Sequence, residues 1–413
     1  MNLIIIKLVE VVSRALFTVG VTYVLVIHEA GQFGLASTLI GLFAFAFGWE
    51  RHIDIQRRLG GRDASTFDRA VLALPRFWAA NWLAMVPLLL VFAYGLADLD
   101  WTLCAVVAVI AICEQIGNTT YNLCVIEPRY RSLVAIVAGK SVFLAVAIAA
   151  LFLFAHYWLT LEVVLWGWAA AGLVSLAAIA VGWARIKHLE PHPNVESEAP
   201  VEIHTGIFDQ HKASCTHFLT GALAVLTIQV DRLVVGAMLP LAELGIYFRH
   251  LVLVSLVYQF FNVVSYNRKL PKVFALGRKN HIKQAQNVIN REYLMIATMV
   301  VLGFAGGVSL DLSVEHRIIR PLLIEVTLVA VLLVGSLLRI HADFSALILN
   351  AQFQEKRVLN NQIASFVIGF TAMVGLTWVY GLYGTAFGTV VGSVAYLALN
   401  TFSVRNLKRK TDA

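Results

Sequence analysis

About a dozen apolar stretches, each near twenty residues long, follow one another from Met1 to the basic tail at Lys410. A helix of that length crosses the roughly 30 Å hydrocarbon layer of a bilayer. The 413 residues are 59% hydrophobic and 14% charged, where a soluble chain carries roughly a quarter charged residues. Mean hydropathy is +0.77. The pattern leaves no room for a soluble catalytic domain, so any function is carried out within or across a membrane.

Spans are expected at 4–27, 33–50, 77–96, 101–122, 132–155, 160–184, 214–238, 245–266, 291–310, 321–349, 358–380 and 382–403. The opening MNLIIIKLVEVVSRAL lacks a small-residue cleavage site after its apolar run and reads as the first span. Short links such as Asp98–Asp100 and the Gly381–Gly384 turn make their helices antiparallel neighbours.

Loop charge gives the orientation. The even-numbered links carry Arg51, Arg57, Arg58, Arg62, Arg69 and Arg76, then Arg129 and Arg131, then Arg185, Lys187 and Lys212. Arg268, Lys269, Lys272, Arg278, Lys279 and Lys283 follow, then Lys356 and Arg357, and the C-terminus adds Arg405, Lys408, Arg409 and Lys410. In the odd-numbered links only Arg317 and Arg320 stand out. The positive-inside rule places both termini in the cytoplasm with an even number of spans. The net charge of +7 is spread over such loops, which argues against nucleic acid as a partner.

Residues 185–213 hold Pro191, Pro193, Pro200 and five acids, and read as a cytoplasmic linker between an N-terminal six-helix bundle (1–184) and a C-terminal one (214–413). The halves are related: Gln32-Phe33-Gly34-Leu35 matches Glu243-Leu244-Gly245-Ile246, and at the same shift Arg57-Arg58 falls on Arg268-Lys269. Each copy continues into an amphipathic stretch, Ala64–Leu74 and Leu270–Asn287. Six spans separate the copies, so the repeat is parallel, about an axis along the membrane normal. The expected fold is an all-α polytopic membrane protein of about twelve transmembrane helices in two pseudo-symmetric bundles.

The first hairpin (VEVVSRALFTVGVTYVLVIHEAGQFGLASTLIGLFAFAFGWERHIDIQRRLGG) resembles the opening of bacterial O-antigen and capsular polysaccharide flippases. QVDRLVVGAMLPLAELGIYFRHLVLV and YGLYGTAFGTVVG are similar to later parts of the same family, which belongs to the multidrug/oligosaccharidyl-lipid/polysaccharide exporter superfamily. The motifs are loose and glycine-based; their order and spacing carry the likeness over nearly the whole chain. The resemblance implies two six-helix bundles rocking about a central cavity in the bacterial inner membrane. Its cargo would be an undecaprenyl-diphosphate-linked glycan, with membrane lipid and other polysaccharide assembly proteins as partners. About twelve spans, against the fourteen of the related lipid II flippases, disfavour that narrower identity.

Moving a diphosphate through a low-dielectric slab calls for buried cations, and each costs about 2.5–3.5 kcal/mol at a helix centre unless it faces a cavity or a counter-ion. The candidates for substrate binding are Arg14, Lys140, Arg232, Arg249 and Arg339. Lys140 and Arg339 are expected toward the cytoplasmic half, Arg14 near the middle, and Arg232 and Arg249 toward the outer half, a ladder for an anionic headgroup. The competing reading is structural: Lys140 and Arg249 snorkel to their interfaces, and Arg339 pairs with Asp343 one turn away. Glu114, Asp231 and Asp343 are candidates for ion coupling or for counter-ions, with Glu10 one turn from Arg14 and Asp231 beside Arg232.

Pro87 interrupts the third span as a hinge or a fixed bend. Cys104, Cys113, Cys124 and Cys215 show no CxxC spacing and read as small buried side chains. Trp101, Trp158 and Trp166 sit where interfacial anchors sit. His188 and His192 are separated by Pro191, and HExxH, GxSxG and GxxxxGK[ST] are absent, so no metal, cofactor or nucleotide chemistry has local support. Besides the flippase reading stand a drug or cation antiporter of the same superfamily, a glycan polymerase or acyltransferase, and a non-transporting scaffold. The short outer links argue against an enzyme.

Overall fold

In hydrocarbon every backbone N–H and C=O must find its partner within the segment, and a helix does this without an edge. The computed structural model of the chain follows that constraint. It describes residues 3–53, 55, 70–126, 131–154, 158–187, 206–261, 265, 267–313 and 325–412, and among these every regular element is helical. The helices are α1 (Leu3–Val24), α2 (Ile27–Gly48), α3 (Leu74–Ala97), α4 (Trp101–Ile126), α5 (Arg131–Phe154), α6 (Leu161–Lys187) and α7 (Ile207–Met238). After them come α8 (Leu241–Phe260), α9 (Asn267–Arg278), α10 (Ile282–Ser313), α11 (Val326–Ala351) and α12 (Glu355–Asp412).

Ten of these helices are long and apolar enough to cross a membrane. α1 carries Lys7, Glu10 and Arg14 within a few turns, which lowers its apolar character. α12 is broken at Gly381, where φ 57° and ψ −134° reverse the chain into two arms, 355–380 and 382–412. Large apolar side chains such as Leu83, Phe154, Val174, Leu302 and Trp378 are exposed along these helices. Polar Thr22, Thr38, Gln115 and Asn400 are buried instead. An aqueous protein does not leave so much apolar surface wet. The protein is a multi-pass membrane protein.

The span boundaries shift in places. The first apolar run was expected to reach residue 27; α1 ends at Val24, and Val26, extended at φ −60° and ψ 154°, leads into α2. Gly34 and Gly245, expected in links, lie inside α2 and α8. The hairpin relation persists in another form, since α1–α2 and α7–α8 each turn over two residues, 25–26 and 239–240. α10 starts at Ile282, nine residues before the expected span at 291, because its first turns are a polar helix. Arg57, Arg58, Arg62, Arg69, Arg129, Arg317, Arg320, His188, His192 and most of the stretches Ala64–Leu74 and 185–213 lie outside the described residues.

Two compact units form, Met1–Gln229 and Val230–Ala413. In the first, α1 packs on α5, α2 on α3 and α4, and α6 on α4 and α5. The start of α7 belongs to this unit and is clasped by the end of α2: the Trp49 and Phe218 rings stack at 3.7 Å. His211 Nε2 lies 2.8 Å from Asn81 Oδ1, and Asn81 Nδ2 donates to the Phe47 carbonyl at 3.0 Å. Trp49 and Glu50 hold left-handed φ of 48° and 50°, a conformation that costs non-glycine residues of order 1–3 kcal/mol and persists where surrounding contacts impose it.

In the second unit α11 packs on α12, α8, α9 and α10. Its core includes Phe261, Ile340, Phe344, Leu347, Leu349 and Tyr396. Gly384, Gly388 and Gly392 recur every fourth residue, so one strip of the second arm of α12 carries no side chains. A Cβ at Gly388 would overlap Met373, and one at Gly369 would come within 2.8 Å of Gly392 Cα. Such strips let membrane helices approach backbone to backbone. The glycine-rich motif of the final hairpin is thus a packing surface.

Candidate functional site

Four packed helices of the first unit, α1, α4, α5 and α6, bring six side chains to one point. α1 supplies Arg14 and Phe17, α4 Glu114, α5 Lys140 and Ser141, and α6 Trp168. Lys140 Nζ lies 2.6 Å from Glu114 Oε1, and Arg14 Nη1 lies 3.6 Å from Glu114 Oε2. The Trp168 indole N–H donates to Glu114 Oε1 at 2.8 Å. With Leu144 these groups line a small recess. Phe17, Phe33 and Trp168 form an aromatic cluster beside it, with ring centroids 5.5–6.2 Å apart.

Both Lys140 and Glu114 are buried, whereas the Arg14 side chain is 41% exposed. Lys140 therefore points inward to a carboxylate; the snorkelling reading does not describe it. Two cations face one carboxylate, so the cluster carries one net positive charge. Lys140 and Trp168 hold one oxygen of Glu114 closely, and the Arg14 contact to the other is looser. A guanidinium held this way can turn to a phosphate oxygen while the Lys140–Glu114 pair stays intact.

Glu10, expected one turn from Arg14 as its counter-ion, is paired with Lys7 at 2.9 Å. Lys7 also sits over the Tyr121 ring, 4.1 Å from its centroid. Arg14 is drawn to α4 instead.

The remaining candidates lie in the second unit, four of them in two ion pairs. Asp231 accepts from the Tyr247 hydroxyl at 2.9 Å and from the Arg232 backbone N–H at 2.8 Å. Arg232 Nε stands 4.0 Å from the same carboxylate, and its guanidinium lies over Phe248 at 5.5 Å. Arg339 Nε is 3.4 Å from Asp343 Oδ1, the i,i+4 pair its spacing suggests, and lies 4.4 Å over the Tyr396 ring. The Tyr258 hydroxyl donates to Asp343 Oδ2 at 2.6 Å. Arg249 is half-buried on α8. Next to it, His250 Nε2 accepts the Glu325 N–H at 3.3 Å, so Nδ1 carries the proton donated to the Ile246 carbonyl at 2.7 Å.

Trp168, Tyr247 and Tyr258 hold the carboxylates, and sequence reasoning passed over all three. The one available signal was an aromatic donor inside an apolar run opposite an expected buried acid. Among the described residues no group of three His, Cys, Asp or Glu is placed to hold a metal ion. Cys104, Cys113 and Cys124 are buried, but Cys215, expected to be buried like them, is exposed on α7. Trp101, Trp158 and Trp166 are all exposed.

The fold has relatives among solved structures. An inward-facing multidrug resistance MATE family transporter of the MOP superfamily matches over 97% of this chain and 95% of its own, at 14% identity and a TM-score of 0.63. Lipid II flippase MurJ in an inward closed conformation matches over 97% and 87%, at 12% identity and a TM-score of 0.70. MATE in a bent conformation matches over 100% and 95%, at 13% identity and a TM-score of 0.58. No family model and no curated protein sequence matches the chain. At these identities the likeness is one of fold.

Proposed function

We propose that this chain is a transporter of the MOP superfamily that carries a polyprenyl-diphosphate-linked oligosaccharide across the bacterial inner membrane for surface polysaccharide synthesis. In this reading the two arms of α12 count as two spans and α1 as another, giving twelve with both termini cytoplasmic. The bundles alternate between inward-open and outward-open states, and the lipid carrier is undecaprenyl diphosphate.

The observation that carries the proposal is the recess of Arg14, Glu114 and Lys140, whose net charge is positive. An exporter of organic cations gains nothing from such a surplus, whereas a diphosphate headgroup is attracted to it and can take the loosely held Arg14 as a bidentate partner. Arg232, Arg249 and Arg339 act in the same reading as further cationic stations. Asp231 and Asp343 are counter-ions or ion-coupling groups. One neighbour in fold is a flippase of lipid II, a lipid-linked precursor, which supports a cargo of that chemistry.

The competing reading is a drug or cation antiporter, favoured by the MATE neighbours and by the buried Asp231 and half-buried Asp343 carboxylates. Deletion in the source cell separates the two. The flippase reading expects lipid-linked repeat units stranded on the inner leaflet. Normal delivery to the outer leaflet, together with lost extrusion of cationic dyes, fits the antiporter instead.

A further inference from the structure

Outside that site one surface stands apart in charge. Residues 267–291 contain Arg268, Lys269, Lys272, Arg278, Lys279, Lys283 and Arg291 and no Asp or Glu, so this stretch alone equals the +7 formal charge of the whole chain. α9 and the first turns of α10 form a helical hairpin here, turned at Asn280 with φ 59°. The apolar residues of α9 face inward: Val273 is buried, and Leu270, Phe274 and Leu276 pack on the core of the second unit. Gly277 rests against Ala351 at the end of α11, and Gln352 donates to the Gly277 carbonyl and to Asn280 Oδ1.

With its apolar face used in this way, the hairpin turns charge outward. Lys272, Arg278, Lys279, Lys283 and Arg291 are exposed. Lys269 alone among the described side chains of the stretch has a carboxylate partner, Glu292 at 3.1 Å. From Tyr293 onward α10 continues as an apolar helix, so the cations stand directly at the end of a membrane span.

We infer that the α9–α10 hairpin is a docking surface for the anionic phospholipid headgroups of the leaflet beside it. Clusters of four to eight Lys or Arg next to a span attract the anionic headgroups of the adjacent leaflet. The exposed charges are spread along both helices of the hairpin, so their occupant is a leaflet of many headgroups. Because α9 buries its apolar residues against protein, the attraction is electrostatic and weakens with salt. The inference goes beyond the transport reading and uses none of its residues.

The test is native mass spectrometry of the purified full chain offered phosphatidylglycerol and phosphatidylcholine, with and without excess inorganic phosphate. We expect phosphatidylglycerol to be retained by at least about tenfold over phosphatidylcholine, with inorganic phosphate failing to displace it. K272Q/R278Q/K279Q/K283Q should abolish the preference, and K272R/K279R/K283R should keep it. Unchanged preference in the glutamine variant overturns the inference, as does displacement by inorganic phosphate, which signals a small-anion pocket. Should the glutamine variant not fold, hydrogen exchange of residues 267–283 in the unaltered protein decides: slower exchange in phosphatidylglycerol nanodiscs than in phosphatidylcholine supports the surface, equal exchange overturns it. Cargo flipping measured in parallel with R14A reads the transport proposal separately.

Discussion

The ammonium of Lys140 lies 2.6 Å from the carboxylate of Glu114, and both groups are buried among membrane-spanning helices. Removing one member of a buried ion pair leaves an uncompensated charge and costs about 3–5 kcal/mol. Lys140→Met should lower the thermal unfolding midpoint of the detergent-solubilised protein sharply. Lys140→Met combined with Glu114→Met should recover much of the loss, since the one charge then left at the cluster is Arg14, whose side chain is 41% exposed. A double variant as unstable as the single one would show that the pair does not hold α4 to α5.

Arg14 is the exposed member of the cluster, so its removal should separate binding from stability. Arg14→Ala should leave the unfolding midpoint nearly unchanged and weaken binding of a diphosphate lipid about tenfold or more, the loss of one charge-assisted contact. Microscale binding to undecaprenyl diphosphate in detergent is a direct readout. Equal affinity in the variant would place the headgroup elsewhere.

Much of this architecture is legible in the sequence, and the reasons are physical. Apolar runs of helical length report spans because lipid permits little else. Arg339 and Asp343 are one turn apart, and that spacing alone predicts the pair. The Glu114 cluster was not legible as a unit, because Arg14, Glu114, Lys140 and Trp168 sit on four helices and meet only through the packing of α1, α4, α5 and α6. The same packing defeated the expected Glu10–Arg14 pair: Arg14 meets Glu114 across helices, and Glu10 takes Lys7.

Beyond the last turn of α2, Glu50 and His52 lie 3.5 Å apart. Burial pushes the Glu50 carboxyl up to about 7 and the His52 imidazole down to about 4. Between pH 4.5 and 7 the folded state keeps a proton on Glu50 that the unfolded chain has lost, so Glu50 makes stability fall as pH rises. Between pH 4 and 6.5 the unfolded chain protonates His52 and the folded state does not, so His52 makes stability rise with pH. The two slopes oppose each other over their shared window. His52→Gln should therefore uncover falling stability from pH 4.5 to 7, and Glu50→Gln rising stability from pH 4 to 6.5, each up to about 3 kcal/mol. Unfolding midpoints across that range check the signs.

Two glycines of α12 make a matched pair. A Cβ at Gly388 meets the Met373 backbone, whereas one at Gly375 meets nothing within 4 Å. Gly388→Leu should force the arms apart and sharply reduce the yield of monodisperse protein. Gly375→Leu should be tolerated within about 0.5 kcal/mol, as surface changes usually are. Size-exclusion profiles of the two variants are the comparison.

The central claim is that a net-positive recess in the first unit serves an anionic, lipid-linked cargo. Purified protein reconstituted in liposomes, with a fluorescent undecaprenyl-diphosphate oligosaccharide and an external quencher, measures translocation directly. The account predicts flipping by the unaltered protein and a loss of about tenfold or more in Arg14→Ala. Liposomes in which the lipid-linked glycan stays on its original leaflet, while a cationic dye is moved along an ion gradient, would contradict it.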